Sequence, residues 1–88
     1  MAVYLVTYDL NKEVHRPNIV GAIKKYGDWA RLSESSYAID TLQTSDQVLA
    51  TLRPMIDEND DIYVISLRRP WTGFGSKKVN DWLSQSLK

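Results

Sequence analysis

Near its start the chain reads YLVTYDLN, Tyr4 to Asn11, an apolar run that stops at one carboxylate, Asp9. A strand-end carboxylate can hold a hard divalent ion. Such an ion lowers the pKa of a bound water and stabilises charge on a phosphate in transit. One carboxylate per chain suffices if a twofold axis doubles it. The other reading is that Asp9 accepts backbone hydrogen bonds in the loop Asp9-Leu10-Asn11. His15, next to Arg16, would suit a general acid or base near a phosphate, or would simply be solvated. Arg31, Arg68, Arg69, Lys77 and Lys78 could form a basic rim, with Trp29, Trp71 and Phe74 as stacking surfaces. Arginines beside aromatics fit nucleic-acid backbones and unpaired bases. Equally, Trp71 and Phe74 could pin the tail to the fold, with Gly73 and Gly75 permitting the bend.

Other chemistry is excluded by what the chain lacks. There is no cysteine, so disulfides, thiolate catalysis and cysteine metal sites are out. The single histidine rules out a multi-histidine zinc site within one protomer. An intrinsic metal would need oxygen ligands and would be magnesium, manganese or calcium. The acidic stretch Asp57 to Asp61 lacks the spacing and glycine of a calcium loop and reads as a solvated turn. Gly73-Phe74-Gly75 lacks the length and the lysine-serine ending of a phosphate loop. Ser33, Ser35 and Ser36 have no histidine or acid at a spacing that would activate them.

These residues must be positioned by a small domain. Eighty-eight residues make one domain, 1–88, with a core over 3–67 and a tail over 68–88. A monomer of this size buries only about 60% of the surface of its unfolded chain. Eleven basic and eleven acidic side chains cancel, so any nucleic-acid contact must come from a local basic stripe rather than from net charge. The N-terminus has no basic region before its apolar run, and no apolar stretch approaches the roughly 20 residues that span a bilayer. The expectation is a cytoplasmic protein without membrane contact.

Val3 to Tyr8 is apolar, β-branched or aromatic on both faces of the alternation, which predicts an interior strand covered on both sides. Asn11 to Arg16 reads as a polar loop. Pro17 suits a first helical turn, Ile19, Ile23 and Tyr26 recur at helical spacing, and Gly27 stops the helix. Asp28 to Ser33 and Ser35 to Thr41 read as a hairpin. Thr44 with Gln47 resembles a capping box, with Ser45 as an alternative N-cap, for a helix carrying Val48, Leu49, Leu52, Met55 and Ile56. Pro54 should end or kink that helix near Leu52. Ile62 to Leu67 is a second strand apolar on both faces. In the tail, Val79, Trp82, Leu83 and Leu87 make an apolar stripe on a helix. The order strand, helix, strand, strand, helix, strand is that of an α+β, ferredoxin-like βαββαβ sandwich with an added C-terminal helix.

At this point the chain resembles a family. YLVTYDL, a helix ending KKYG, a hairpin near ARLSESSYAID, a second helix and DIYVISL are together similar to the CRISPR-associated protein two superfamily. That superfamily includes virulence-associated protein D toxins and small stand-alone members labelled SinR-like. The resemblance covers roughly residues 3 to 67. It implies a ferredoxin-like homodimer in which Asp9 faces its symmetry mate. In members reported as nucleases that pair is thought to bind one divalent metal, magnesium or manganese. In CRISPR adaptation the dimer instead holds DNA as a scaffold and the aspartate is dispensable for that. The chain departs from the family pattern in a longer hairpin after Tyr26-Gly27, which leaves Arg31 and Ser33 without a fixed counterpart, and in a helical tail where a final strand is usual.

The expectation is therefore a small homodimeric module binding RNA, DNA or a protein encoded nearby, without strong catalysis. The alternatives are a metal-dependent endoribonuclease built on paired Asp9 carboxylates, and an interaction protein of a toxin or phage-defence system. The dimer expectation has its own physical basis. Tyr4, Val6, Tyr8, Tyr63, Ile65 and Leu67 occupy one set of alternating positions and Val3, Leu5, Ile62 and Val64 the other. Two helices cover one face. Covering a few hundred Å² on the second, at about 25 cal/mol per Å², is worth several kcal/mol. The tail helix, a second subunit, or both would supply that cover.

Overall fold

The computed structural model describes residues 2–88. Its strands are β1 (Ala2–Asp9), β2 (Trp29–Ser33), β3 (Ser36–Thr41) and β4 (Asp61–Ser66), and its helices are α1 (Arg16–Lys24), α2 (Ser45–Leu52) and α3 (Lys77–Ser86). Short 3-10 turns precede α1 at Glu13–His15 and follow α2 at Arg53–Met55. The strands form one antiparallel sheet in the order β2-β3-β1-β4. The arrangement is α+β and compatible with a ferredoxin-like fold. No helix of the described residues is long and apolar enough to cross a membrane.

Local chemistry explains most boundaries. Pro17 sits in the first turn of α1, where its missing N–H costs nothing. Gly27 follows that helix with φ of 86°, a backbone geometry that favours glycine. At α2 the expected capping box is present: Thr44 Oγ1 accepts from Gln47 N, and Gln47 Oε1 accepts from Thr44 N. The helix ends at Leu52, two residues before Pro54, and continues only as a 3-10 turn. Ser76 caps α3 by accepting from Val79 N. The β2–β3 connection is the short turn expected at Glu34-Ser35, with a register irregularity after Arg31.

The register sorts the apolar residues differently from simple alternation along each strand. Val6 lies between Tyr37 of β3 and Val64 of β4, whereas Leu5 lies between Ala38 and Ile65. Tyr4, Val6 and Tyr8 therefore share the first face with Ile62 and Val64. Tyr63, Ile65 and Leu67 belong to the second face, with Val3 and Leu5. The first face packs against α1 and α2: Val6, Ile19, Ile23, Ile39, Val48 and Leu52 are fully buried there. The second face is covered by α3 from the same chain, through Val3, Ala38, Leu83 and Leu87, with Val79, Trp82, Leu67 and Trp71 packed around them.

That cover is incomplete. β4 is an edge strand rather than an interior one, and Tyr63 and Ile65 stay 63% and 49% exposed. The symmetric apolar pattern of Ile62 to Leu67 thus does not mark burial on both faces, as it does for β1.

Candidate functional site

The segment after β4 crosses the second face before α3 begins. Leu67 N still bonds Val3 O at 2.9 Å, extending the sheet by one residue. Arg69 then turns its guanidinium onto the end of α3. Its Nε donates to Leu87 O at 2.8 Å, its Nη2 donates to Ser84 O, and its backbone N donates to Lys88 O. Those carbonyls have no partner within a helix, so a cationic fork satisfies them and complements the helix dipole. Arg69 is a helix clamp. Lys77 is held by Asp81 at 2.6 Å, one turn along α3. Trp82 Nε1 donates to Asp28 Oδ1 at 2.8 Å and fixes α3 beside β2.

Between the 68–76 loop, α3 and β2 lies a cleft of about 560 Å³. Leu32, Trp71, Phe74 and Leu83 give it apolar walls, and Arg31 and Arg68 border it. A second cleft of about 390 Å³ adjoins it, with Arg68 and Lys88 among its lining residues. Among the described residues no Asp or Glu side chain lines either one. On a chain of zero net charge that local imbalance favours an anion. Lys78 borders a third cleft on the other side of Val79, which also contains Asp28. Among the described residues Arg31, Arg68 and Lys78 form no ion pair.

The two tail aromatics separate. Trp71 is half-buried against the second-face cluster, and the glycine at 73 lies over its ring, where an added Cβ would be 3.5 Å from the ring edge. Trp71 does pin the tail. Phe74 does not: it is 107% exposed, as open as in an extended chain. Trp29 packs into the first-face core, tilted against Tyr37 and with Lys24 over its ring. Arg31 lies on the edge strand β2, where it also borders a cleft on the first face with Glu34 and Tyr37.

Asp9 is far from this surface. It lies six positions along β1 from Val3, about 20 Å at strand spacing. It is exposed and lies directly opposite Asp61 of β4. Two like charges opposed across strands repel. Two carboxylates also fall short of the oxygen set a hard divalent ion takes, and no group of three or more His, Cys, Asp or Glu gathers among the described residues. Asp9 and Asp61 alone do not supply that oxygen set.

His15 and Arg16 are not a free pair. His15 Nδ1 lies 3.3 Å from Asp60 Oδ2, and Asp60 also accepts from Asn11 N at 2.6 Å and Asp57 N at 2.8 Å. Its side chain has no exposed surface. The backbone N–H groups of Asp57 and Asn11, with His15 after them, hold its carboxyl below the usual range. So the acidic stretch is not uniformly solvated. Asp60 ties the β1–α1 loop to the turn before β4. Arg16 is bidentate on Glu13, donates to Glu34 O and lies over the Tyr8 ring. Burial, with Tyr37, pushes the Tyr8 phenol up, and Arg16 and Arg31 oppose that.

No protein-family model matches the chain, and no curated protein matches it significantly. The surface described here therefore has to be read from its own chemistry: an anion-favouring cleft with one solvent-facing aromatic at its rim.

Proposed function

We propose that this chain is a small nucleic-acid-binding module without strong catalysis, built on a ferredoxin-like βαββαβ sandwich of the CRISPR-associated protein two type. The observation that carries the reading is the 560 Å³ cleft bordered by Arg31 and Arg68, with Phe74 at its rim and no carboxylate lining it among the described residues. Phosphate contacts supply most non-specific affinity for nucleic acid, and aromatic faces accept bases. Of the proposed rim, Arg68 contributes a cation to this cleft and Arg31 flanks it from the β2 edge; Lys78 lies on the separate cleft that contains Asp28, and Arg69 serves the fold instead.

The module acts as a homodimer in this reading. Tyr63, Ile65 and half-buried Leu5 lie together beside the open edge of β4, and a second copy would cover them. Sedimentation at micromolar concentration tests this, with a dimer expected. The binding reading is tested by fluorescence anisotropy with labelled single- and double-stranded DNA and RNA at low salt. Binding to at least one of them is expected, and no binding to any would end the reading.

The endoribonuclease alternative has one observation in its favour, the placement of Asp61 opposite Asp9, which adds an acid to the strand-end carboxylate. It needs the partner's copies to complete a magnesium or manganese site. Calorimetric titration of manganese into the protein and into an Asp9→Asn variant tests that, and equal heats would remove it.

A further inference from the structure

We infer that the cleft under the 68–76 loop takes an unpaired base, so that the ligand is single-stranded nucleic acid rather than a duplex. This rests on the nucleic-acid reading and narrows it. The argument begins with Phe74. A large aromatic with no burial at all is costly to leave in water. Thr72 to Ser76 around it are exposed too, so nothing among the described residues uses its ring. Trp71, three residues earlier, is already engaged by the core and by Gly73, which makes Phe74 the free stacking face.

The space beside Phe74 fits this use. About 560 Å³ lies within the range of roughly 300–1,000 Å³ typical of small-ligand sites. Its apolar walls, Leu32, Leu83 and Trp71, suit a flat ring, and Thr72, Ser76 and Asn80 add polar groups that can meet a base edge. Arg68 stands at the border shared with the neighbouring cleft, which also lacks Asp and Glu side chains among the described residues. A base in the first cleft would leave its phosphate toward Arg68. A duplex keeps its bases paired and stacked, and would have to extrude one, at a cost of a few kcal/mol, to make the same contacts.

The test is fluorescence anisotropy of the full chain against labelled oligonucleotides of about 12 nucleotides, the scale of single-strand sites, compared with a duplex of the same length. Single strands should bind at least about tenfold more tightly than the duplex. Phe74→Ala should weaken the single strand about tenfold, within the range measured for base–aromatic stacking, and leave duplex binding unchanged. Phe74→Trp should restore it. Because Phe74 is fully exposed, neither change threatens folding. Equal affinity for single strand and duplex would overturn the inference and leave the binding reading intact. So would an unchanged single-strand affinity in Phe74→Ala, including the case in which that variant instead loses self-association, which would make Phe74 a protein contact. No binding to any oligonucleotide would overturn the reading itself.

Discussion

The two faces of the sheet are built to different standards. The face under α1 and α2 holds the six largest fully buried side chains. Three of its four tyrosine hydroxyls are hydrogen-bonded within the fold: Tyr4 donates to Gln43 O, Tyr8 to Glu34 O and Tyr26 to Gln43 Oε1. The face under α3 buries fewer large groups, keeps a cleft, and leaves Tyr63 and Ile65 open. It also holds Asp40 Oδ1, which is buried with no hydrogen-bond partner among the described residues. Tight packing with satisfied polar groups is what a cooperative core requires. Residual cavities, open apolar surface and unpaired cations are what a binding surface retains. The first face carries stability, and in the proposed reading the second carries recognition.

Truncations should break the two faces unequally. Leu52→Ala on the first face should cost about 3–4 kcal/mol, the upper part of the range for core leucines, because its neighbours are already close-packed. Leu83→Ala, beside an existing cleft, should cost about 2 kcal/mol. Urea denaturation of both variants measures the difference. Equal losses would mean that α3 is as much a part of the core as α2.

Asp60 and Asp40, whose carboxylates have buried oxygens, should respond to substitution with opposite signs. Asp60 is depressed by hydrogen bonds that require its charged form. Its contribution is present above the ordinary carboxylate pKa and is lost as pH falls through its lower folded value. Thermal melts from neutral to strongly acid pH should therefore show a drop that Asp60→Asn removes, along with a lower melting temperature at neutral pH. Asp40→Val, replacing an orphaned oxygen, should be neutral or stabilising at neutral pH. A loss of stability in Asp40→Val would show that this carboxylate supports the second face.

Smaller effects sharpen the picture. Thr44→Ala should cost about 1 kcal/mol through the lost cap of α2. Asp61→Asn should raise stability by a few tenths of a kcal/mol at low salt by relieving repulsion from Asp9, and the gain should shrink as salt screens it. An unchanged melting temperature at low salt would mean that the two carboxylates do not repel measurably.

Local signals in the sequence carried far. The Thr44–Gln47 box, the stop at Gly27, the break before Pro54, the helical tail and the α+β element order all depend on residues within a few positions of one another, and all are present. What was not legible depended on distant partners. Tyr63 and Ile65 change faces because pairing register is set across strands and not along them. Asp60 looked like one of several solvated acids because its partner Asn11 lies 49 residues away. Arg69 and Arg68 are adjacent and identical in type, yet only the first meets the end of α3. Trp71 and Phe74 offered the same alternatives, and only the packing of the loop separates an anchor from a free ring.

The central claim is that the second face binds nucleic acid through phosphates, and its salt dependence is the most direct measurement. Anisotropy titrations across a salt series should give a linear fall of log affinity with log salt for the unaltered chain. Arg68→Gln should flatten the slope by about 0.7 for a single strand, the loss of one phosphate contact. A slope unchanged by Arg68→Gln, or affinity independent of salt, would contradict the account.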